Sequence, residues 1–233
     1  MVEHSESAPP AGRRGLALRR RDIAVLAVLL VALGVLLYLL IRPAARPPAV
    51  TGVNASALST GSSAYAGIPE RTPQPAPPLK LDNYLGTQVN LASYRGKAVF
   101  VTFLYTHCPD VCPLIASHLH AALTQMPAAE RRDVRIVAVS VDPRGDTPKT
   151  VAQFLRTHEM TGSMQYLIGS AGALHDVWTK WGIAAGPQTN NPAIVDHSAL
   201  IYGINAHGKV AVIYPANFTP HEIVHDAPLL ARS

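Results

Sequence analysis

The strand–helix junction that decides the fold reads AVFVTFLYTHCPDVCP over residues 98–113. Its first half is a continuous apolar and β-branched run, which is typical of a strand buried on both faces of a sheet. Its second half contains the only two cysteines of the 233-residue chain, Cys108 and Cys112, just before a segment with helical spacing of apolar residues. The sequence therefore predicts a buried strand, a short loop with two thiols, and a helix.

Strands and helices alternate along the chain around this junction. The predicted strands cover residues 79–81, 89–91, 98–105, 134–141, 166–168, 198–205 and 209–214, and the predicted helices cover residues 113–125, 147–158, 170–181 and the segment after the capping box TPHE at 219–222. Strand–helix–strand alternation implies parallel strands covered by helices, and the last two strands add an antiparallel hairpin at the edge. This order predicts an α/β domain with a thioredoxin-like fold, in which helices flank a central mixed sheet.

Three acidic residues follow the first two buried strands. Asp146 is expected to cap the helix over residues 147–158, and Asp142 is expected to order the turn before Pro143. Asp110, between the cysteines, is expected to interact with the positive end of the following helix dipole, because a negative charge is favoured at a helix N-terminus.

A membrane anchor is predicted near the amino terminus, where residues 23–41 form a run of 19 residues without a charge. As a helix this run would be about 28 Å long, close to the thickness of a bilayer core. Five arginines precede it, so the positive-inside tendency predicts a cytoplasmic tail over residues 1–22 and a single-pass anchor in the cell membrane, with the following domain on the extracytoplasmic side. The alternative is a cleaved signal peptide, which the length of the run and Arg42 directly after it disfavour.

The remaining chain is expected to form a tether and one domain. Residues 42–78 contain eight prolines and no period of apolar residues, which predicts an extended tether, with the globular domain over residues 79–233. The net charge of the whole chain is +5, but residues 79–233 carry only +1. Nucleic acid is therefore not an expected partner, because a basic surface on the domain is not indicated.

The position of the two cysteines at the start of a helix is compatible with three chemical roles. Three intervening residues bring Cys108 and Cys112 to one side of a helical turn, and a helix N-terminus favours thiolate over thiol. The pair can share a soft metal ion such as Cu(I), form a reactive disulfide, or form a structural disulfide. The structural disulfide is disfavoured, because closing so short a loop removes little entropy from the unfolded chain.

A metal held by two thiolates leaves room for a third ligand, and the chain has ten histidines. His197, in the segment VDHS at 195–198, is the best candidate, because it ends a long loop and directly precedes a strand that can bring it to the same crevice. The alternative for His197 is a loop histidine bonded to backbone. His221 and His225 are four residues apart on the last predicted helix, a spacing that can bind metal but is more common on a solvated helix face.

Three segments resemble the signature of the Sco/SenC family of copper chaperones: THCPDVCP at 106–113, VSVDPRGDTP at 139–148 and VDHS at 195–198. Their order and spacing, together with the amino-terminal anchor, are similar to that family over roughly residues 79–215. The resemblance implies a membrane-tethered, thioredoxin-like domain that binds one copper ion, Cu(I) or Cu(II), through Cys108, Cys112 and His197. It also implies an upstream copper donor and, as acceptor, the copper-centre subunit of cytochrome c oxidase.

The resemblance implies a metallochaperone rather than an enzyme. The competing hypothesis is a thiol–disulfide oxidoreductase that keeps the cysteines of the oxidase copper site reduced, with Cys108 and Cys112 as its catalytic residues. His197 distinguishes the two functions, because copper binding needs its imidazole whereas thiol exchange needs only the cysteines.

Overall fold

The computed structural model describes residues 30, 32–34, 64–187, 195–197 and 199–233, and the side chains of residues 186, 187 and 195–197 lie outside the described part. The chain divides into two compact units, residues 1–58 and residues 59–233. In the first unit the four described residues are helical, and the predicted tail and the rest of the predicted anchor lie outside the described residues. Across the described residues, none of the helices has the length and apolar character needed to cross a bilayer.

The second unit contains an α/β domain. Its strands are β1 (Ile68–Pro75), β2 (Lys80–Asn83), β3 (Gln88–Asn90), β4 (Ala98–Leu104), β5 (Val134–Ser140), β6 (Met164–Ile168), β7 (Ala185–Pro187), β8 (Val195–His197), β9 (Leu200–Ile204) and β10 (Lys209–Pro215). Its helices are α1 (Val111–Gln125), α2 (Ala128–Arg131), α3 (Pro148–Thr157), α4 (Ala171–Trp181) and α5 (Pro220–Arg232), with a 3-10 turn over Leu91–Tyr94.

Eight of the strands form one mixed sheet in the order β1-β10-β9-β4-β5-β6-β2-β3. The central strands β4, β5 and β6 are parallel, and the strands on either side of them pair antiparallel. Strands β7 and β8 form a separate two-stranded antiparallel sheet. The mixed sheet and its helices confirm the predicted thioredoxin-like α/β fold.

The core follows from the apolar runs that predicted the central strands. Every residue of β4 is buried, as is nearly every residue of β5, because helices cover the sheet and leave neither face to solvent. Helix α1 buries Ile115, Leu119 and Leu123, which lie four residues apart on one face. Helix α5 packs against α1 and β4, so the carboxyl end of the chain covers the helix that contains Cys112.

One prediction about the domain boundary is wrong. Strand β1 lies inside the segment that was predicted to be a tether, pairs antiparallel with β10, and forms the sheet edge that the final hairpin was expected to form. The strand is mostly exposed and irregular between Pro69 and Gln74, so it lacks the apolar alternation from which a strand is inferred. Proline is tolerated there because an edge strand has one unpaired side.

The cap of α3 also differs from the prediction. Thr147 is the N-cap, and its hydroxyl accepts a hydrogen bond from the Thr150 backbone N–H at 3.2 Å, with Pro148 at the first helical position. Asp146, the predicted cap, is instead buried beneath the preceding loop with 5% of its surface exposed. Asp142 orders the turn as predicted, since its carboxylate accepts hydrogen bonds from the backbone N–H groups of Arg144 and Gly145.

Candidate metal centre

The loop that carries the cysteines lies at the carboxyl end of β4, where it turns into α1. The backbone N–H of Cys108 donates to the Tyr105 carbonyl at 3.3 Å, which closes the turn after the strand. Asp110 is the N-cap of α1 but makes no capping bond with its side chain. Cys112 is therefore the second residue of α1, at the helix terminus whose unpaired N–H groups and dipole favour negative charge.

The two cysteines are not joined by a disulfide, and their side chains are hydrogen-bonded to each other. The backbone N–H of Cys112 donates to Cys108 Sγ at 3.4 Å, and the Cys112 thiol donates a second hydrogen bond to the same sulfur. Cys112 is fully buried, whereas 8% of the surface of Cys108 is exposed to solvent. Cys108 is thus the cysteine nearer to solvent, and the buried Cys112 donates hydrogen bonds to its sulfur.

Hydrogen bonding makes the two thiols chemically unequal. The pKa of Cys108 is lowered to about 5, first by the hydrogen bond from the Cys112 thiol and then by the backbone N–H groups of Asp110 and Cys112 and the Tyr105 hydroxyl, against an opposing effect of burial. The pKa of Cys112 is raised, first because its proton is held by Cys108 and second because it is buried. At neutral pH the pair is therefore one thiolate and one thiol.

This inequality predicts how Cys108 responds when its neighbour is changed. In the Cys112→Ala variant the pH midpoint for alkylation of Cys108 by iodoacetamide should rise clearly above about 5, because the principal donor to the thiolate is gone. The rate at pH 6 should fall only about tenfold, because a more basic thiolate is also more nucleophilic. Cys112→Ser is the matched control, since its hydroxyl can still donate a hydrogen bond to the Cys108 sulfur. Its alkylation midpoint should lie between those of the unmodified chain and Cys112→Ala. Equal midpoints in all three proteins would contradict the hydrogen-bonded pair.

A buried carboxylate holds the cysteine loop in place. Asp146 accepts hydrogen bonds from the Thr106 backbone N–H at 2.8 Å, from the Ser140 hydroxyl at 2.7 Å and from the Tyr166 hydroxyl at 2.9 Å. These bonds tie the loop to the last residue of β5 and to the middle of β6, and burial raises the pKa of the carboxyl group. This role was not predicted, although the sequence Thr147-Pro148 supplies the stronger capping signal and leaves Asp146 without a helical function.

A tight turn flanks the loop on its other side. Gly145 lies so close to the carboxylate of Asp142 that any side chain at this position would collide with it, and the His107 ring is the next neighbour. His107 is exposed, and its Nδ1 atom lies 3.2 Å from the Thr106 hydroxyl. The second signature segment thus supports the first through direct packing.

The third predicted ligand is described only by its backbone. His197 is the last residue of β8 and pairs with Ala185 of β7, and its side chain lies outside the described part. Strand β9 begins three residues later at Leu200, whose carbonyl accepts a hydrogen bond from the Thr102 hydroxyl at 3.1 Å. The chain therefore joins the sheet next to the carboxyl half of β4, the half that leads to Cys108.

The other described histidines have different surroundings. His118 and His120 on α1 bond through Nδ1 to the carbonyl groups of Phe218 and Glu159, at 2.8 and 3.1 Å. Among the residues whose side chains are described, no group of three or more His, Cys, Asp and Glu residues is arranged to hold a metal ion. The site thus brings together the two predicted sulfur ligands, while the assignment of His197 as the third ligand stays a prediction.

Comparison with known proteins identifies what this arrangement is similar to. A family model described as SCO1/SenC matches residues 69–231. The SCO1 protein homolog of Bacillus subtilis (strain 168) is 29% identical over 139 residues, which cover 59% of this chain and 72% of that protein. Two further curated relatives are matched over 59% and 64% of their own lengths.

Solved structures give the same grouping. ScoI of Bradyrhizobium japonicum, a structure with copper bound, superimposes with a TM-score of 0.54 at 27% identity and covers 70% of this chain and 99% of that one. BsSco, reported with a disulfide switch and as a member of the Sco family of cytochrome c oxidase assembly proteins, has a TM-score of 0.59 at 26% identity, over 71% of this chain and 98% of that one.

Proposed function

Because the chain belongs to the SCO1/SenC family, we propose that it is a copper chaperone that carries one copper ion on Cys108, Cys112 and His197 and delivers it to the dinuclear copper site of cytochrome c oxidase. The observation that supports this proposal most strongly is the pair of free, hydrogen-bonded cysteines at the start of α1. The copper-bound structure of a relative at 27% identity and the oxidase-assembly role of another at 26% support it.

The chemistry of the pair suits a soft cation that must be released again. Thiolates are the preferred ligands of Cu(I), and an imidazole completes a trigonal site with two sulfurs and one nitrogen. Cys108 is already a thiolate at neutral pH, so loading has to displace the proton of Cys112. Since Cys108 is the sulfur nearer to solvent, thiolates of an acceptor protein can approach the ion from that side and take it by ligand exchange.

Membrane attachment is part of the same proposal. Residues 23–41 are proposed to anchor the chain in the cell membrane, with residues 1–22 in the cytoplasm and the domain on the extracytoplasmic side. The proposed tether is shorter than the proline content alone implies, because the sheet already begins at Ile68. An anchored chaperone meets a membrane-bound acceptor by diffusion in two dimensions, and an upstream donor supplies its copper.

Removal of the His197 imidazole tests the proposed third ligand. In an anaerobic titration of the reduced full-length chain against a chromophoric Cu(I) chelator, His197→Ala is expected to weaken Cu(I) binding about tenfold or more, because loss of a ligand costs at least as much as loss of a group that orients one. His207→Ala is the matched control, since His207 is exposed in the β9–β10 turn, and it should bind Cu(I) as the unmodified chain does.

The thiol–disulfide oxidoreductase is the second candidate, and the low pKa of Cys108 favours it, because such a thiolate can attack a partner disulfide. That reaction does not use an imidazole. Unweakened Cu(I) binding by His197→Ala would overturn His197 as the third ligand. If His197→Ala instead bound Cu(I) more weakly, yet supported oxidase assembly in cells as fully as His207→Ala and still reduced a disulfide in a copper-site peptide, the oxidoreductase would replace the chaperone as the proposed function.

A further inference from the structure

A second pair of potential metal ligands lies on α5, away from the cysteine loop. His221 and His225 are one helical turn apart, and their ring centroids are separated by 6.4 Å. Both side chains are exposed, so each ring can change rotamer and water can complete a coordination shell. To bring both Nε2 atoms within about 2.0 Å of one ion, the ring centroids need to approach by about 1–2 Å.

A buried carboxylate orients one of the two rings. The Nδ1 atom of His225 lies 2.7 Å from an oxygen of Asp226, whose side chain is fully buried. A carboxylate accepts hydrogen bonds, so Nδ1 is the donor of this bond, and in the neutral ring Nε2 is the nitrogen left to bind an ion. Histidine ligands of metals in proteins are commonly oriented in this way, by a carboxylate on the ring nitrogen that does not bind the ion.

Asp226 is itself held by the rest of the domain. It accepts hydrogen bonds from the backbone N–H groups of Ala66 and Gly67, at 2.8 and 3.0 Å, and from the Tyr214 hydroxyl at 2.8 Å. These donors explain why a carboxylate is tolerated at a fully buried position. They also fix the atom that orients His225, independently of any ligand.

The helix that carries the pair is rigidly seated. Its first turn is a capping box, in which the Glu222 carboxylate accepts hydrogen bonds from the Thr219 backbone N–H at 2.6 Å and the Thr219 hydroxyl at 3.0 Å. Ile223, Ala227 and Leu230 are buried on the face opposite to solvent. The two histidines therefore project from a fixed backbone, which lowers the entropy cost of closing the rings on an ion.

We propose that His221 and His225 form a second metal site for a divalent ion that prefers imidazole, and that Cu²⁺ is the ion it binds most tightly. Imidazole suits Cu²⁺, Ni²⁺ and Zn²⁺, and affinity among divalent ions rises to a maximum at Cu²⁺. With two nitrogen ligands and water, the site binds more weakly than a site with two thiolates and does not compete with it for Cu(I). It is independent of the proposed chaperone site, since it shares no residue with it.

The test uses the full-length chain carrying Cys108→Ala, Cys112→Ala and His197→Ala, so that the proposed chaperone site cannot contribute. Titration with Cu²⁺, followed by electron paramagnetic resonance, should show an ion bound by two imidazoles. Adding His221→Ala or His225→Ala should weaken binding of that ion by about tenfold or more and leave at most one imidazole on it. His175→Ala is the matched control, because His175 is also exposed on a helix, and it should change neither property.

The outcomes separate the two sites. If His221→Ala and His225→Ala bind Cu²⁺ as His175→Ala does, the second site is overturned, whatever the cysteine variants do. Should the triple variant fail to fold, the same titration is made on the otherwise unmodified chain after oxidation to the Cys108–Cys112 disulfide, which removes both thiolates. The expected and the contradicting results are the same in that form.

Discussion

Serine in place of either Cys108 or Cys112 is expected to abolish tight Cu(I) loading of the reduced chain. The substitution exchanges a soft thiolate for a hydroxyl, which is a poor ligand for Cu(I), while keeping nearly the same shape in a buried position. One sulfur and one imidazole cannot then hold the ion against a competing chelator. The expected change is from one bound Cu(I) per chain to none under conditions in which the unmodified chain is saturated.

The measurement is copper content after gel filtration of the anaerobically loaded chain in the presence of the chelator. Asp110→Asn is the matched control, because Asp110 lies between the two cysteines, is exposed, and is expected not to be a ligand. It should load as the unmodified chain does. Retention of one tightly bound Cu(I) in either serine variant would contradict a two-sulfur site, and loss of copper in Asp110→Asn would show that the carboxylate is a ligand.

The sequence was sufficient to predict the central part of the fold, because strands that are buried on both faces appear in the sequence as continuous apolar runs. Strands β4 and β5 are covered on both faces, so nearly all of their residues are apolar. Helix α4 begins and ends where its capping residues indicate, at Ser170 and at Gly182, whose positive φ of 66° favours glycine. These signals are local, and a local signal can be found without coordinates.

Strand β1 and Asp146 escaped prediction because their roles depend on distant partners. The edge strand is held by hydrogen bonds to β10, more than a hundred residues away in sequence, and its own side chains are mostly exposed. Asp146 bonds to Thr106 and Tyr166, which lie forty and twenty residues from it. No periodicity marks such a contact, and a capping role suggested by position alone was the wrong interpretation.

The candidate site was predictable to the extent that it depends on spacing. Two cysteines three residues apart, directly before a helix, indicated adjacent sulfurs, and the structure confirms that they are adjacent. The inequality of the two thiols was not predictable, because it depends on which sulfur is deeper and on where the N–H groups at the start of α1 point. The position of the His197 ring depends on the path of residues 188–194, for which the sequence gives only length and composition.

The second large effect is expected at Asp146. Alanine at this position leaves three donors without their acceptor: the Thr106 backbone N–H, the Ser140 hydroxyl and the Tyr166 hydroxyl. Each unsatisfied buried donor costs about 1–3 kcal/mol, and the removal of a buried charge offsets part of the total cost of the three donors. Asp146→Ala should therefore lower the free energy of unfolding by about 3 kcal/mol. Urea denaturation at pH 7, monitored by the fluorescence of the buried Trp178 and Trp181, measures this change.

Asp146→Asn is the matched control, and it also tests the electrostatics of the buried group. The amide keeps an oxygen for the Thr106 N–H and lets the two hydroxyls accept instead of donate, so the Asp146→Asn variant should lose clearly less stability than Asp146→Ala at pH 7.

Because burial raises the pKa of Asp146 in the folded chain above its unfolded value, the contribution of this carboxyl to stability is fully present below the unfolded pKa and is lost as the pH rises through the folded pKa. The unmodified chain should therefore lose stability relative to Asp146→Asn as the pH is raised from about 4 toward 7. A stability difference that stays constant over this range would show that the pKa of Asp146 is not raised by folding, and equal destabilisation by alanine and asparagine would show that the three hydrogen bonds do not hold the loop.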